Sequence, residues 1–441
     1  MNEMKAPAGS VFEMSGVPPM KQVVPLGLQH VVAAIVGVIT PAILVSNAVG
    51  LEVADKTLLI QVSLLITAIA TLVQVFGLWR VGAKLPVVMG VSFAYVPTLL
   101  ALANGYHDLS VILGAQIVGG CVAILFGIFV KQLRVFFPPM VTGTVIFTIG
   151  LSLYPTAVKY MAGGAGAADF GSWQNWLVAV ITLAVVIFCN NFTKGVTKLA
   201  SILMGIIVGY LVALCFGMVD FSSVGAAGIV AVPVPFKFGI KFVPAACVSM
   251  AVMYIVNSVQ TIGDLTSTTL GGLDREPTDR ELSGGIVCQG AASVVGAFFG
   301  GLPTASYSQN VGIVTVNRVI NRAVFALAAL ILLVAGLVPK FASLLPPIPQ
   351  CVIGGATISV FATITMTGIR MITQQTFTMR NSTVVGLAVA LGVGVTTVGP
   401  ACLAGFPAWV TTVFGSSSVV LSTLTAILLN QLLPKDPPER R

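Results

Sequence analysis

One run of residues places side-chain amides, a glycine and a cation in a chain that is otherwise built of apolar segments. It extends from Ser308 to Arg318 and reads Ser-Gln-Asn-Val-Gly-Ile-Val-Thr-Val-Asn-Arg. Polar groups at membrane depth are costly unless they have partners, so a cluster of them marks a binding site or a transport pathway. An amide side chain offers both donors and an acceptor to a polar ligand. We expect this run to form part of a binding site.

A second polar feature is a stripe that carries the single acid expected inside the membrane. Asn257, Gln260 or Thr261, Asp264 and Thr268 recur at the spacing of one helical face. A carboxylate in apolar surroundings is costly unless it is paired, and this suits Asp264 to binding and releasing a proton. The alternative is a structural acid that bonds a helix end or is solvated near the inner surface.

The only histidine expected in the membrane is His30, which follows Gln29 early in the first apolar segment. Histidine titrates close to neutral pH, so His30 is a candidate partner for Asp264. A packing residue held by a hydrogen bond is the alternative interpretation.

The composition indicates that a lipid bilayer surrounds these residues. Hydrophobic residues make up 56% of the 441 residues and charged residues 8%, whereas about a quarter of the residues in soluble proteins are charged. Apolar runs near the roughly 20 residues that a helix needs to cross a bilayer recur from Pro25 to Leu433. We expect about fourteen crossings, two of them interrupted by Gly and Pro.

The positions of the basic residues predict the orientation of the chain. If the amino terminus is cytoplasmic, the outer side receives few of the 22 Lys and Arg residues, namely Lys56, Lys159, Lys237, Lys241 and Lys340. This bias fits the positive-inside rule, so both termini should be cytoplasmic and the chain should lie in the plasma or inner membrane. The net charge of +8 therefore reflects membrane topology and does not indicate nucleic acid binding.

Two similar segments indicate an internal repeat. Residues 127–131 lead to Phe137-Pro-Pro-Met140, and residues 336–340 lead to Leu345-Pro-Pro-Ile348. The first copy ends in a lysine expected inside and the second in a lysine expected outside, so the copies would cross in opposite directions. Inverted repeats are a known plan of secondary transporters, and we expect seven plus seven spans. Chance similarity of Pro-Pro pairs at a membrane entry is the alternative.

The interrupted segments are the third and the tenth. They comprise residues 84–95 and 300–310, where Pro and Gly stand beside small polar and aromatic residues. Non-helical backbone survives at membrane depth only where protein buries it or where it lines a wet cavity. We expect each segment to form a short strand followed by a half-helix whose first N–H groups face a cavity.

Motifs for other chemistries are absent from the sequence. There is no GxxxxGK[ST] phosphate loop, HExxH or GxSxG, and the seven cysteines show no spacing that would hold a metal. We therefore expect no enzyme activity, no ATP-driven transport, no metal and no cofactor.

The polar residues together resemble the nucleobase/ascorbate transporters, also called nucleobase-cation symporters of the second type. The signature of that family is Gln or Glu, Asn, any residue and Gly, then four variable residues, and commonly Thr with a basic residue or Gly. This chain supplies Gln309-Asn310-Val311-Gly312 and, four residues later, Asn317-Arg318. Supporting matches are Gln29-His30, Ser92-Phe93-Ala94 and residues 260–264, and the resemblance extends from about Pro25 to Leu433.

The resemblance implies an all-α polytopic membrane protein that works by alternating access as a homodimer. A core domain that binds substrate would comprise residues 24–134 and 241–344. A gate domain that dimerises would comprise residues 135–240 and 345–433, and the cytoplasmic tails would be residues 1–23 and 434–441.

The resemblance also assigns roles to single residues. The substrate would bind the side chains of Gln260 and Gln309 and backbone N–H groups near Phe93 and Gly312. Proton coupling would involve Asp264 and His30. The remaining positions carried over belong to the wall of the site or to the end of the motif: Ser92, Tyr95, Asn310, Asn317 and Arg318.

The resemblance implies import of a nucleobase with protons, and Gln309 favours an oxopurine, xanthine or uric acid. Two residues depart from the family pattern, since Gln260 stands where Glu is usual and Asn317 where Thr is usual. Without that Glu, three possibilities remain. Asp264 alone carries the proton coupling, protonation of the substrate carries it, or the coupling is altered. The alternatives are a carrier of uracil or another nucleobase, an anion transporter of the sulfate-permease type, and a channel or membrane sensor that does not transport.

Overall fold

A computed structural model describes residues 10–133, 138–219, 233–415 and 417–434. Parts of the predicted tails (residues 1–9 and 435–441), the predicted domain boundary at residue 134 and the repeat residue Phe137 lie outside these residues. The first half contains α1 (Met20–Val49), α2 (Val53–Phe76), β1 (Met89–Val91), a 3-10 turn (Phe93–Tyr95), α3 (Val96–Tyr106), α4 (Leu109–Ile128), α5 (Val130–Leu133), α6 (Pro139–Met161), α7 (Trp173–Phe192), α8 (Val196–Leu199) and α9 (Ser201–Cys215).

The second half contains α10 (Pro244–Leu273), α11 (Asp279–Phe299), β2 (Thr304–Ser306), α12 (Ser308–Asn317), α13 (Arg322–Leu337), α14 (Pro339–Ser343), α15 (Gln350–Ile372), α16 (Met379–Val398), a 3-10 turn (Pro400–Leu403), α17 (Ala408–Gly415) and α18 (Ser418–Leu432). Among the described residues, nine helices are long and apolar enough to cross a bilayer: α1, α2, α4, α6, α7, α10, α11, α15 and α16. Three shorter apolar helices are α9, α13 and α18. The chain is therefore a mainly helical, multi-pass membrane protein.

Polar residues at the helix ends fix where several helices begin. Asp108 accepts a hydrogen bond from the backbone N–H of Ser110 (2.9 Å) at the start of α4. Thr278 and Glu281 form a reciprocal capping box at the start of α11. Each cap satisfies N–H groups that have no partner inside the helix, and such caps are worth about 1 kcal/mol.

The two interrupted segments meet as a two-stranded antiparallel sheet. Met89 lies opposite Ser306 and Val91 opposite Thr304, and the backbone N–H of Tyr307 donates to the carbonyl of Val88 (3.0 Å). A side chain completes the pairing, because the Thr71 hydroxyl accepts from the N–H of Met89 (3.1 Å) and donates to its carbonyl (2.9 Å). Backbone groups that lack a helical partner are thus satisfied inside the protein, as burial requires.

The strand β1 also needs a residue without a side chain at its centre. A Cβ atom on Gly90 would lie 2.5 Å from the Thr67 side chain on α2, closer than real contacts allow. Glycine therefore lets the strand pack directly on α2, where Thr67 and Thr71 lie one helical turn apart.

The helices pack mainly within two groups. The first group contains α1, α2, α4, α10, α11 and α13, together with both strands and the half-helices α3 and α12. The second group contains α6, α7, α9, α15, α16 and α18. Within the second group α6 and α15 run closely together, because Gly368 allows their backbones to approach; a Cβ atom there would lie 2.3 Å from the N atom of Phe147.

We predict that Thr71→Val destabilises the protein, because the N–H and carbonyl of Met89 lose a buried partner. A buried polar group without a partner costs about 1–3 kcal/mol, so the purified protein should unfold at a clearly lower temperature. The matched control is Thr144→Val, since the Thr144 hydroxyl is equally buried but bonds only the Met140 carbonyl within its own helix (2.7 Å). Equal melting temperatures for the two variants would contradict this role of Thr71.

Candidate functional site

A cavity of about 200 Å³ lies where the two groups of helices face each other. The first group contributes Ser92 and Phe93 after β1, Gln260 on α10, and the segment from Ser306 to Gln309. The second group contributes side chains of α6 and α15: Ile146, Ile149, Val360, Thr363, Ile364 and Thr367. The cavity therefore brings both interrupted segments and the polar stripe of α10 to one place.

Both predicted amide side chains line this cavity. Gln260 is half-buried, and its Nε2 donates to the Ser308 hydroxyl at 3.4 Å. Gln309 is exposed to the cavity, and among the described residues it has no hydrogen-bond partner. Two amides with free capacity in one small cavity can bind the alternating donors and acceptors of a planar polar ligand.

The start of α12 adjoins the same cavity. The helix begins at Ser308, and the preceding Tyr307 provides no side-chain cap. The first N–H groups of a helix lack intrahelical partners and carry a partial positive charge. Because Ser308 and Gln309 line the cavity, these N–H groups add donors to its wall.

Phe93 provides an aromatic surface to the cavity. Its side chain is 6% exposed, and its ring lies edge-on to that of Phe361, with the ring centroids 5.7 Å apart. The edge contact across the two groups of helices fixes the orientation of the Phe93 ring. A flat ligand can stack against an aromatic ring held in this way.

Asp264 lies behind the cavity wall and reaches the cavity through two hydroxyl groups. The Ser306 hydroxyl lies 2.6 Å from Oδ2 of Asp264, and the Ser308 hydroxyl lies 2.7 Å from Oδ1. The carboxylate is buried and has no ion-pair partner within the described ranges. Hydrogen bonds from both serines stabilise its charge in place of a cation.

Gln289 on α11 joins the surrounding polar residues into a buried network. Its Nε2 donates to the Tyr95 hydroxyl (2.8 Å) and to Oδ1 of Asn257 (3.1 Å), and its Oε1 accepts from the Thr261 hydroxyl (2.7 Å). The Ser306 hydroxyl lies 3.2 Å from that of Thr261, which connects the network to Asp264. Tyr95 thus lies behind the cavity, fully buried in this network and not on the cavity surface.

His30 pairs with Asn310 and not with Asp264. Nδ2 of Asn310 lies 3.0 Å from Nδ1 of His30 and donates to the His30 carbonyl at 3.0 Å. The His30 ring also packs on Phe325, with ring centroids 4.5 Å apart. The predicted contact of His30 with Asp264 is absent from the described structure: Nδ1 of His30 faces Asn310, and its buried Nε2 has no hydrogen-bond partner among the described residues.

The remaining motif residues lie away from the cavity. Gly312 is exposed in the body of α12, and a Cβ atom there would meet no other atom within 4 Å. Asn317 ends α12, and Arg318 follows it with a left-handed backbone (φ 55°) and an ion pair to Asp274 (3.2 Å). Arg318 therefore ties the end of α12 to the end of α10.

The sequence did not predict the contacts of Ser306 and Ser308 with Asp264, the network residue Gln289 or the wall formed by α15. Ser306 and Ser308 stood within the interrupted segment but carried no pattern of their own. Thr363 and Thr367 could have been found, because they are four residues apart on an otherwise apolar helix. Gln289 has no comparable signal in the sequence.

A second cavity of about 260 Å³ continues from the first. The two share Gly37, Phe93, Gln309, Val360 and Thr363 as lining residues. The second cavity extends along α7 past Asn190 and Asn191 to Lys198. It forms a path from Gln309 to Lys198, a residue predicted to lie at the inner surface.

Comparison with protein families matches residues 21–400 of this chain to the Permease family (Xan_ur_permease). Three similar proteins are a putative purine permease of Clostridium perfringens, and a xanthine permease and the uric acid permease PucK, both of Bacillus subtilis. They are 34%, 36% and 36% identical to this chain and are matched over 93%, 92% and 95% of it. The matches cover 90%, 92% and 96% of those proteins.

Solved structures with a similar fold include two proteins described as a bicarbonate transporter and an anion transporter. The transmembrane domain of the cyanobacterial bicarbonate transporter BicA matches with a TM-score of 0.61 at 16% identity, over 92% of this chain and 97% of that one. SLC26A9 matches with a TM-score of 0.62 at 13% identity, over 94% of this chain and 66% of that one. At these identities the likeness concerns the fold alone.

We predict that Gln289→Leu destabilises the protein although the two side chains have similar volumes. The change removes the partners of Tyr95, Asn257 and Thr261 in a buried region, and each lost partner costs about 1–3 kcal/mol. The melting temperature of the purified protein should fall by much more than in the control Gln132→Leu, a change at an exposed residue of α5. An unchanged melting temperature would show that the network does not support the site.

Proposed function

Since this chain belongs to the Permease family, we propose that it transports a purine nucleobase, xanthine or uric acid, across the cell membrane. The proteins that it matches are permeases, so the chain is a transporter and not an enzyme. The resemblance to nucleobase/ascorbate transporters inferred from residues 309–318 is confirmed by these matches. The observation that carries the choice of substrate is the pair of amides, Gln260 and Gln309, in one cavity beside Phe93.

The chemistry of the cavity suits an oxopurine. The edge of such a ring alternates carbonyl acceptors with N–H donors, and two carboxamides can match both. The N–H groups at the start of α12 add donors for a carbonyl oxygen, and Phe93 offers its face to the flat ring. Among the described residues that line the cavity, none is Lys or Arg, which favours a planar heterocycle over an inorganic anion such as sulfate.

The proposal includes a topology of fourteen crossings in two inverted halves. The nine long helices, the three shorter apolar helices and the two strand–helix segments supply them. The antiparallel pairing of β1 with β2 supports opposite directions for the two interrupted segments. Each half also contains a short helix, α5 or α14, that links an apolar helix to a longer one, α6 or α15.

The bias of basic residues supports cytoplasmic termini, and the ion pairs are consistent with the two sides that it predicts. Lys237 pairs with Asp55 and Lys241 with Asp108, and all four belong to the predicted outer side. The pairs expected on the inner side are Arg275 with Glu281, Arg318 with Asp274, and Lys131 with Asp279. No ion pair among the described residues joins a residue expected outside to one expected inside, which agrees with the predicted grouping of the loops on two sides of the membrane.

We assign the first group of helices to a core domain and the second to a gate domain, with the boundaries that the sequence predicts. The cavity lies between the groups, so movement of one against the other would change access to it. The second cavity leads towards Lys198, and the described conformation therefore gives access from the inner side. The exposed apolar faces of α7 and α16 support a homodimer that forms through the gate domain.

Coupling to protons is assigned to Asp264. Among the described residues it is the single acid near the cavity, and Gln260 cannot take up a proton because it is an amide. A buried carboxylate that is held by two hydroxyls and no cation can accept a proton without breaking an ion pair. His30 is assigned a supporting role, since its contacts with Asn310 help to position α12.

We predict that Gln309→Ala weakens xanthine binding by roughly tenfold to a hundredfold, because hydrogen bonds to the ring are lost. Isothermal titration of the purified protein measures the affinity, and its melting temperature checks that the variant is folded. Gln374→Ala, a change at an exposed residue after α15, is the matched control and should bind like the unchanged protein. Wild-type affinity in a folded Gln309→Ala protein would remove Gln309 from the site.

We predict that Asp264→Asn abolishes accumulation of xanthine driven by a pH gradient in proteoliposomes. The variant should still exchange internal for external xanthine, because exchange needs no net proton movement. Asp55→Asn changes an acid of the outer ion pair with Lys237 and should accumulate xanthine normally. Full accumulation by Asp264→Asn would exclude Asp264 as the proton carrier.

A further inference from the structure

Ser308 is the one described side chain that hydrogen-bonds to both Asp264 and an amide of the cavity. Its hydroxyl lies 2.7 Å from Oδ1 of Asp264 and 3.4 Å from Nε2 of Gln260. Ser308 lines the cavity, whereas Asp264 does not. The proposed proton site and the amide Gln260 are therefore separate side chains, and the Ser308 hydroxyl contacts both of them.

The direction of these hydrogen bonds depends on the charge of Asp264. An ionised carboxylate only accepts, so the hydrogen of the Ser308 hydroxyl must point to it. The oxygen of Ser308 then presents only lone pairs to the cavity, and the neighbouring Gln260 must turn its NH₂ group towards it. That is the arrangement in the structure, where Nε2 of Gln260 donates to Ser308.

Addition of a proton to Oδ1 of Asp264 reverses this order. The carboxyl group then donates to the oxygen of Ser308, and the hydrogen of Ser308 is released towards the cavity. It can bond the carbonyl oxygen of Gln260 or an acceptor of the ligand. Only the directions of the hydrogen bonds change, and each serine hydroxyl keeps its own hydrogen.

Ser306 does not pass the change to the cavity amides in the same way. Its hydroxyl lies 2.6 Å from Oδ2 of Asp264, and its alternative acceptor is the Thr261 hydroxyl at 3.2 Å, inside the buried network. Although Ser306 also lines the cavity, its hydroxyl contacts neither Gln260 nor Gln309 in the described structure. The two serines have the same chemistry but different second partners.

No other ionisable side chain contacts the Asp264 carboxylate among the described residues. On α10 and the elements packed against it, the ionisable groups with other partners include His30 with Asn310, Tyr95 with Gln289, Tyr307 with the Val91 carbonyl, Cys288 with the Ala70 carbonyl, Arg275 with Glu281, Lys131 with Asp279, Lys241 with Asp108, and Arg318 with Asp274. The hydroxyl of Tyr254 has no partner there, and its ring packs on Tyr95. The hydroxyls of Ser306 and Ser308 are thus the contacts of the carboxylate.

We propose that Ser308 is the positioning residue that couples the proton on Asp264 to purine binding, by switching between acceptor and donor towards Gln260. This inference rests on the proposed function, since it takes a purine as the ligand and Asp264 as the proton carrier. Coupling between two sites is reciprocal, so a proton that strengthens purine binding is itself bound more tightly when purine is present.

The test measures xanthine affinity and proton uptake on xanthine binding, with the purified full-length protein at mildly acidic and mildly alkaline pH. The unchanged protein should bind xanthine at least about tenfold more tightly at the acidic pH, the change that one unit of pKa difference produces. Ser308→Ala should still bind xanthine but show less than about a twofold change and no proton uptake. Ser308→Thr should keep the pH dependence because it retains the hydroxyl. The control Ser258→Ala should keep it too, since this buried serine of α10 bonds only the Tyr254 carbonyl in its own helix (2.7 Å).

The outcomes separate the inference from the function on which it rests. If the unchanged protein fails to bind xanthine, or Asp264→Asn retains proton uptake, the proposed function or its proton carrier is wrong. If those two behave as expected and Ser308→Ala takes up protons like the unchanged protein, the role of Ser308 is excluded. If Ser308→Ala loses xanthine binding, the Ser308→Thr variant provides the test. Xanthine binding with proton uptake by Ser308→Thr supports the role of Ser308, and xanthine binding without proton uptake overturns it.

Discussion

The structure depends on satisfying backbone polar groups that leave the helical pattern inside a bilayer. At both interrupted segments the chain extends, pairs strand to strand and then enters a half-helix. Side chains supply the remaining partners: the Thr71 hydroxyl bonds Met89, and Nε2 of Gln116 donates to the carbonyls of Ser293 (2.8 Å) and Gly301 (2.9 Å). Without them the N–H and carbonyl groups would be buried without partners, which costs several kcal/mol each in lipid.

The same constraint creates the site. Since each segment changes from strand to helix at one place, the start of α12 and the turn after β1 both open towards α6 and α15. Polar side chains that would be unfavourable in lipid then face a cavity inside the protein. The placement of Gln260, Gln309 and Phe93 around one volume is thus a consequence of how the backbone is accommodated.

Sequence alone could predict the parts of this arrangement that leave a local signal. The two interruptions stand out by Pro and Gly, and Gln260, Gln309 and Asp264 stand out as polar residues in apolar runs. The structure brings both amides to the cavity and Asp264 directly behind it. The half-helix after each strand was expected from the same signals.

Contacts that depend on packing between distant helices could not be predicted. His30 was expected to meet Asp264, yet it meets Asn310, because the orientation of α12 decides which of its neighbouring amides turns inward. Tyr95 in the turn after β1 contacts Gln289 on α11, and no spacing in the sequence predicts that contact. The wall from α15 belongs to another group of helices, so the motif residues carry no information about it.

The fold itself does not decide the substrate, because proteins named as bicarbonate and SLC26-type carriers share it at 11–16% identity. The chemistry of the cavity and membership of the Permease family favour a purine. The most direct measurement is uptake of labelled xanthine into proteoliposomes with an acidic exterior, in competition with unlabelled purines, uracil, sulfate and bicarbonate. We expect saturable uptake that a protonophore abolishes and that urate inhibits while sulfate and bicarbonate do not. Inhibition by sulfate or bicarbonate with no effect of purines would contradict a purine carrier.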